Sequence, residues 1–252
     1  MLKSNEPGKI DTIKSVSLVL KNEQELTSVF SRQYLNIILI SLNRSLLAAL
    51  LIFEILNALG ILHYPVSFHW IALIITTGAA WTLLEAVFFI SRENHSPALS
   101  NAIMLAAVAA LYADTLGQVY SLFDRIIWYD QVLHFFVGGV LCGTVSFLLI
   151  QSLEHRGIIH LRTLGIASFA WITTIFLGLI YEFGEYLLDS ITGSNSFVSI
   201  DDTFNDLLLG VTGSLSILTI LVVYFYYARS VKIRQIDSPF GESIKDNKDN
   251  LV

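Results

Sequence analysis

Six long stretches almost free of charge constrain this chain more than any other feature. They cover residues 46–62, 69–90, 99–120, 132–152, 164–188 and 207–227. A bilayer core about 30 Å thick calls for about 20 apolar residues per helix, and the helix form satisfies every backbone group internally. The composition agrees, with 54% hydrophobic and only 14% charged residues, where a soluble domain carries about 25% charged. The expected fold is therefore all-α, a polytopic transmembrane helical bundle of about six spans in the cell (plasma or inner) membrane. Pro65, Pro97, Gly157 and Gly193 punctuate the short connectors.

The charges crowd into residues 1–32 and 229–250. This divides the chain into an N-terminal segment, 1–33, a membrane domain, 34–228, and a polar tail, 229–252. Within the first segment, Ile10, Ile13, Val16 and Leu20 are spaced as on an amphipathic surface helix. Residues 35–42 are also apolar, but Asn43 and Arg44 interrupt them, so a short interfacial piece is expected before the first span. The first 30 residues lack an apolar core followed by small residues, so the first membrane helix is expected to direct insertion. Cys142 is the single cysteine and forms no intrachain disulfide. Residues 237–252 have the composition of a disordered segment.

Orientation follows from the basic residues. Fourteen of the fifteen lysines and arginines fall in the N-terminal segment up to Arg44, beside Arg92, in the loop with Arg156 and Arg162, and in the tail. The other three loops contain only Arg125. The positive-inside rule then places both termini in the cytoplasm. The net charge of −6 points to no nucleic-acid partner; the partners expected are membrane lipids and a small-molecule or lipid substrate of unknown identity.

On that map the buried acids gather at the extracytoplasmic end. Asp114 lies toward the end of span three, Asp130 and His134 at the start of span four, Glu182, Glu185 and Asp189 at the end of span five, and Asp202 and Asp206 at the start of span six. A charge in hydrocarbon costs at least about 2.5–3.5 kcal/mol, so intramembrane acids are functional candidates. Asp130 and His134 are spaced i, i+4, Glu182, Glu185 and Asp189 i, i+3, i+7, and Asp202 and Asp206 i, i+4, each set sharing one helix face. Carboxylates crowded at low dielectric need a bound cation, shared protons or a basic ligand. Carboxylates with one histidine suit Mg²⁺, Mn²⁺ or Zn²⁺. Asp130, His134, Glu185, Asp202 and Asp206 are thus candidate metal ligands, and His134 and Glu182 candidate catalytic groups. Each has a plainer role to set beside this. Asp202 and Asp206 can cap span six, His134 can be a hydrogen-bonded structural residue, and Asp124 and Asp201 read as solvated loop acids. Glu54 and Glu85 stand apart and can pair with Arg44 or Arg92. Gly138, Gly139 and Gly143 on span four, with Gly210 and Gly213 on span six, allow close helix packing.

Three of these elements resemble a known family. Tyr129-Asp130-Gln131-Val132-Leu133-His134-Phe135 is similar to the Tyr-Asp-x-x-x-His-Phe element of the YjdF-type bacterial inner-membrane proteins. Tyr181-Glu182-Phe183-Gly184-Glu185 resembles their Tyr-Glu-x-x-Glu element, and Asp202-Thr203-Phe204-Asn205-Asp206 their Asp-Thr-x-x-Asp element. The likeness covers about residues 110–215. Span three departs from it, reading Tyr112-Ala113-Asp114-Thr115-Leu116-Gly117 without a histidine-and-tyrosine-rich stretch. More distantly, the Asp-x-x-x-His-Phe start is similar to that of VanZ-like membrane proteins, which carry asparagine in place of Asp206. The resemblance implies a polytopic helical fold and supplies no reaction. Three functions stay open: a metal-assisted enzyme acting on a lipid-linked or cell-envelope substrate, a cation or proton transporter with Glu85 continuing its path, and a non-catalytic membrane scaffold. No arginine-rich phosphate clamp accompanies the acids.

Overall fold

The computed structural model describes residues 7–66, 69–92, 95–193 and 199–236, with side chains described from residue 33 to residue 228 of those ranges. Every regular element among them is helical. The order is α1 (Pro7–Ala58), α2 (Trp70–Ser91), α3 (Pro97–Val119), the short α4 (Leu122–Arg125) and α5 (Tyr129–Leu133), a π-helical stretch (His134–Leu141), α6 (Cys142–His155), α7 (Thr163–Thr192) and α8 (Ile200–Ile236). Six segments are long and apolar enough to cross a bilayer: Gln33–Ala58, Trp70–Ser91, Pro97–Val119, Tyr129–His155, Thr163–Thr192 and Ile200–Ala228. The fourth is α5, the π-helical stretch and α6 running end to end. Consecutive spans alternate in direction, so α3 and α7 end, and the fourth span and α8 begin, at one end of the bundle.

The first span differs from the sequence expectation. α1 passes through Asn43 and Arg44 without a break, so no separate interfacial piece precedes it. The reason is that neighbouring helices satisfy both residues. Asn43 is only 2% exposed, and its Nδ2 donates to the Asn101 carbonyl at 3.2 Å. Asn101 Nδ2 in turn donates to the Asn36 carbonyl at 3.1 Å. The Arg44 guanidinium donates to both oxygens of Glu85 at 2.6 Å. Residues 10–32 are helical, but the side chains that would test their amphipathic face lie outside the described residues, as do residues 237–252.

The helix ends carry conventional signals. Ser96 Oγ accepts from the Leu99 N–H at the start of α3, with Pro97 in the first turn. Gly193 closes α7 in the left-handed region at φ 72°, which only glycine enters freely.

Two apolar cores lie on opposite faces of α6. One joins Val145 and Leu148 to Leu47, Leu50, Leu84, Val87, Met104 and Ala107 of α1, α2 and α3. The other joins Phe147 and Ile150 to Ile166 and Ala170 of α7 and Leu218 of α8.

A backbone-to-backbone seam fixes the fourth span against α8. A Cβ added at Gly139 would lie 2.7 Å from Gly213 Cα and 2.9 Å from both the Gly210 carbonyl oxygen and the Ser214 amide nitrogen. A Cβ at Gly213 would collide with the Phe135 carbonyl oxygen. These glycines are therefore packing requirements: without lipid-excluding hydrophobic force between helices, close backbone approach supplies the dispersion that holds them. The seam lies one to three turns below Asp130, His134, Asp202 and Asp206, and so sets how far apart those residues stand.

Candidate functional site

His134 is the hub of the site. It is the first residue of the π-helical stretch, and π-helical turns recur at functional positions. Its Nε2 lies 3.4 Å from Asp130 Oδ1, one α-helical turn earlier, and 3.8 Å from Asp206 Oδ2 on α8. On the other edge of the ring, Nδ1 stands 4.0 Å from Glu182 Oε1 of α7. The Tyr181 ring packs edge-on to the imidazole, with centroids 6.4 Å apart. Three separate spans thus place ligand-type atoms around one histidine.

The Asp130, His134 and Asp206 atoms all lie within 4.8 Å of one another. Protein ligands sit about 2.0–2.6 Å from Zn²⁺, Mg²⁺ or Ca²⁺, so a separation of this size suits three ligands of a single ion. Glu182 and Asp206 are each only 5% exposed. Glu182 has a partner in Thr203, whereas Asp206 Oδ1 is buried without a hydrogen-bond partner. An unpaired carboxylate oxygen out of water is costly, and a bound cation, a proton or a basic ligand would relieve it.

The remaining sequence candidates fall around this group. Glu185 is half-buried on α7 and shares a side-chain hydrogen bond with Tyr181. Asp202 is half-buried one turn before Asp206, and the Asp202 amide is capped by Ser199 Oγ at 3.1 Å. Neither joins the three-residue group. The i, i+3 and i, i+4 spacings put Glu185 and Asp202 on the correct faces, but one turn along a helix is about 5.4 Å, enough to move a carboxylate out of a common coordination sphere. Asp114, which the sequence left in doubt, lies within electrostatic range of His134 and Asp130. Beside it, the Tyr129 hydroxyl donates to the Ala113 carbonyl at 2.6 Å, tying the start of the fourth span to the end of α3. Glu85 is committed to Arg44 and to Trp81 Nε1, which donates to it at 3.2 Å.

Comparison with known proteins agrees with this architecture. A family model described as "Predicted membrane protein (DUF2238)" matches residues 41–227. The chain belongs to this family. It is the YjdF-type family that the three sequence elements resemble, and the matched region holds most of the first span, the other five up to residue 227, and the whole cluster. An uncharacterised protein of Thermotoga maritima is 25% identical over 112 residues, which is 44% of this chain and 56% of that protein. The chain thus matches little more than half the length of that relative. No solved structure matches.

One buried acid escaped the reading of the sequence as a site. Glu54, near the C-terminal end of α1, meets neither Arg44 nor Arg92 but takes two threonine hydroxyls, from Thr77 and Thr115. Its signal in the sequence is only that three polar residues occur at matching depth on adjacent spans.

Proposed function

We propose that this protein is a membrane enzyme in which Asp130, His134 and Asp206 hold a divalent cation (Mg²⁺, Mn²⁺ or Zn²⁺), and that it acts on a lipid-linked or cell-envelope substrate at the extracytoplasmic leaflet. The observation that carries this reading is the convergence of three ligand atoms from two spans within 4.8 Å, with Asp206 Oδ1 buried and unpartnered beside them. His134 serves as a ligand through Nε2. Glu182, on the Nδ1 side, orients the ring, as a carboxylate behind a metal-bound histidine does. It is also the buried carboxylate next to the group that is not itself a ligand, and it takes the general-base role. A divalent ion would supply Lewis-acid polarisation and the positive charge that no arginine clamp provides. Tyr129, Tyr181 and Tyr186 flank the cluster at the depth where an aromatic belt meets headgroups. Glu185 and Asp202 extend the negative surface toward water.

The test has two parts. Detergent-purified protein, dialysed and analysed for metal, should retain one equivalent per chain, and Asp206→Asn should retain none. Wild type incubated with total envelope lipids should then consume a lipid species, followed by mass spectrometry, in a reaction lost in chelator and in Asp206→Asn. Metal bound without any turnover would favour the scaffold reading.

A transport reading draws on a different observation. Glu85 cannot extend a path from the cluster, being paired with Arg44, but Asp114 lies in electrostatic range of both His134 and Glu54. Cation flux into protein-loaded liposomes, abolished by Asp114→Asn, would favour it over the enzyme.

A further inference from the structure

Glu54 lies outside the cluster and has no part in the metal-assisted enzyme proposed above. Its side chain is fully buried, at 0% exposure, and Thr77 and Thr115 are 2% and 1% exposed. Thr77 Oγ1 and Thr115 Oγ1, from α2 and α3, each stand 2.9 Å from the same carboxylate oxygen, Oε1. The second oxygen, Oε2, is buried with no hydrogen-bond partner.

This arrangement is built and not incidental. Most hydroxyls in these spans turn back on their own helix: Thr82, Thr144, Ser152, Thr173, Ser190 and Thr219 all donate to the carbonyl four residues earlier. Thr77 and Thr115 instead leave their helices to reach Glu54. The hydroxyls place both of their protons on Oε1, which leaves a negative charge to be met at Oε2. Arg44, ten residues and so about 15 Å along α1, is held by Glu85, and Asp114, which lies within electrostatic range, is another acid. A bare carboxylate shut away from water is costly and needs a positive partner. One carboxylate and two hydroxyls are hard oxygen donors carrying a single negative charge in all. That set matches a hard monovalent cation, whereas a divalent ion would keep an excess charge in hydrocarbon.

We propose that Glu54, Thr77 and Thr115 form a second cation site that takes an alkali cation of the Na⁺ class and ties α1, α2 and α3 together. It stands independently of the cluster chemistry.

Equilibrium binding of radioactive ²²Na⁺ to detergent-purified wild type should give one site per chain, and no saturable binding would overturn the proposal. Thermal unfolding in NaCl, KCl or choline chloride at constant ionic strength gives a second readout. The melting temperature should rise with Na⁺, because an ion bound only by the folded state stabilises it. Glu54→Gln should flatten that response, while Asp206→Asn, which alters only the cluster, should keep it. Should Glu54→Gln fail to fold, Thr115→Val removes one ligand and should shift the Na⁺ midpoint at least tenfold, with Thr115→Ser restoring it. A melting temperature that ignores all three salts but varies with pH, and loses that dependence in Glu54→Gln, would show that a proton occupies the site and would overturn the proposal.

Discussion

Gly138 and Gly139 are adjacent and indistinguishable in the sequence, yet the seam predicts opposite outcomes for alanine at the two positions. At Gly138 an added Cβ meets nothing within 4 Å. Gly138→Ala should therefore be neutral or gain part of the roughly 1 kcal/mol by which alanine exceeds glycine in a helix. At Gly139 the Cβ would sit 2.7 Å from Gly213 Cα, where ordinary contact begins near 3.4 Å. The obstructing atoms are all backbone, so α8 must retreat by about 0.7 Å. Overpacking of this kind costs about 1–3 kcal/mol. The retreat also carries Asp206, one turn above Gly210, away from His134. Their 3.8 Å separation would open toward about 4.5 Å, so an ion held by Asp130 and His134 at unchanged distances would sit several tenths of an ångström farther from Asp206, more than the roughly 0.2 Å tolerance of metal–ligand distances. Gly139→Ala should thus lower the melting temperature in detergent and weaken divalent-metal binding by at least tenfold, measured by titration calorimetry. Gly138→Ala should do neither. If both variants melt and bind alike, the seam does not set the geometry of the cluster, and the reasoning fails.

Four further outcomes follow from the same geometry. Asp206→Asn should abolish stabilisation by Mg²⁺, Mn²⁺ or Zn²⁺ and still fold, since asparagine keeps the volume; unfolding regardless of metal would make Asp206 a structural partner. With Cys142→Ser as background, Asp124→Cys and Arg156→Cys, both exposed, should label from opposite faces of the membrane with an impermeant thiol reagent, and Asp124→Cys from outside. Glu85→Ala should destabilise more than the Arg44→Ala, Glu85→Ala double variant in detergent melts, because Arg44 lies on the outer surface of a span that detergent covers, and the single change leaves its guanidinium there without a counter-ion. Burial holds the His95 imidazole below its ordinary value, and His155 acts in the same direction, against a hydrogen bond from the imidazole to the Leu148 backbone carbonyl. The folded state therefore resists protonating His95, so its contribution is complete above about pH 6.5 and is lost as the pH falls through that value. Wild type should lose stability on acidification across that range more steeply than His95→Gln.

What the sequence could and could not convey divides along physical lines. Spans are set by apolar length, and length is written directly in the chain. Asn43 and Arg44 look like a break in isolation; only their partners on other helices, Asn101 for the buried Asn43 and Glu85 for the exposed Arg44, let α1 run through them. The cluster was legible to the extent that it depends on one helix at a time. The i, i+4 spacing of Asp130 and His134 survives because that turn is α-helical up to His134. Which of Glu182, Glu185, Asp202 and Asp206 reach His134 depends on the relative depth of three helices, and no spacing along one helix contains it. Glu54 was weighed as a member of an ion pair because an arginine is what usually pays for a buried acid, and the two threonines come from distant sequence.

The π-helical stretch ties these points together. Widening the helix from i→i+4 to i→i+5 bonding over His134–Leu141 pushes the Phe135 carbonyl toward α8, and only glycine at position 213 leaves room for it. The wider turn and the glycine seam are thus two halves of one device: each is unfavourable alone, and together they hold Asp206 beside His134. That coupling predicts that a larger residue at Gly213 should do more than destabilise the fold. Gly213→Ala should drive His134–Leu141 back toward α-helical bonding and swing His134 away from Asp206, so divalent-metal binding should be lost before the melting temperature reaches that of an unpacked bundle. Hydrogen exchange at the amides of residues 138–142 would report the change in bonding. If Gly213→Ala leaves both that exchange pattern and metal binding as in wild type, the π-helical turn has no part in placing His134.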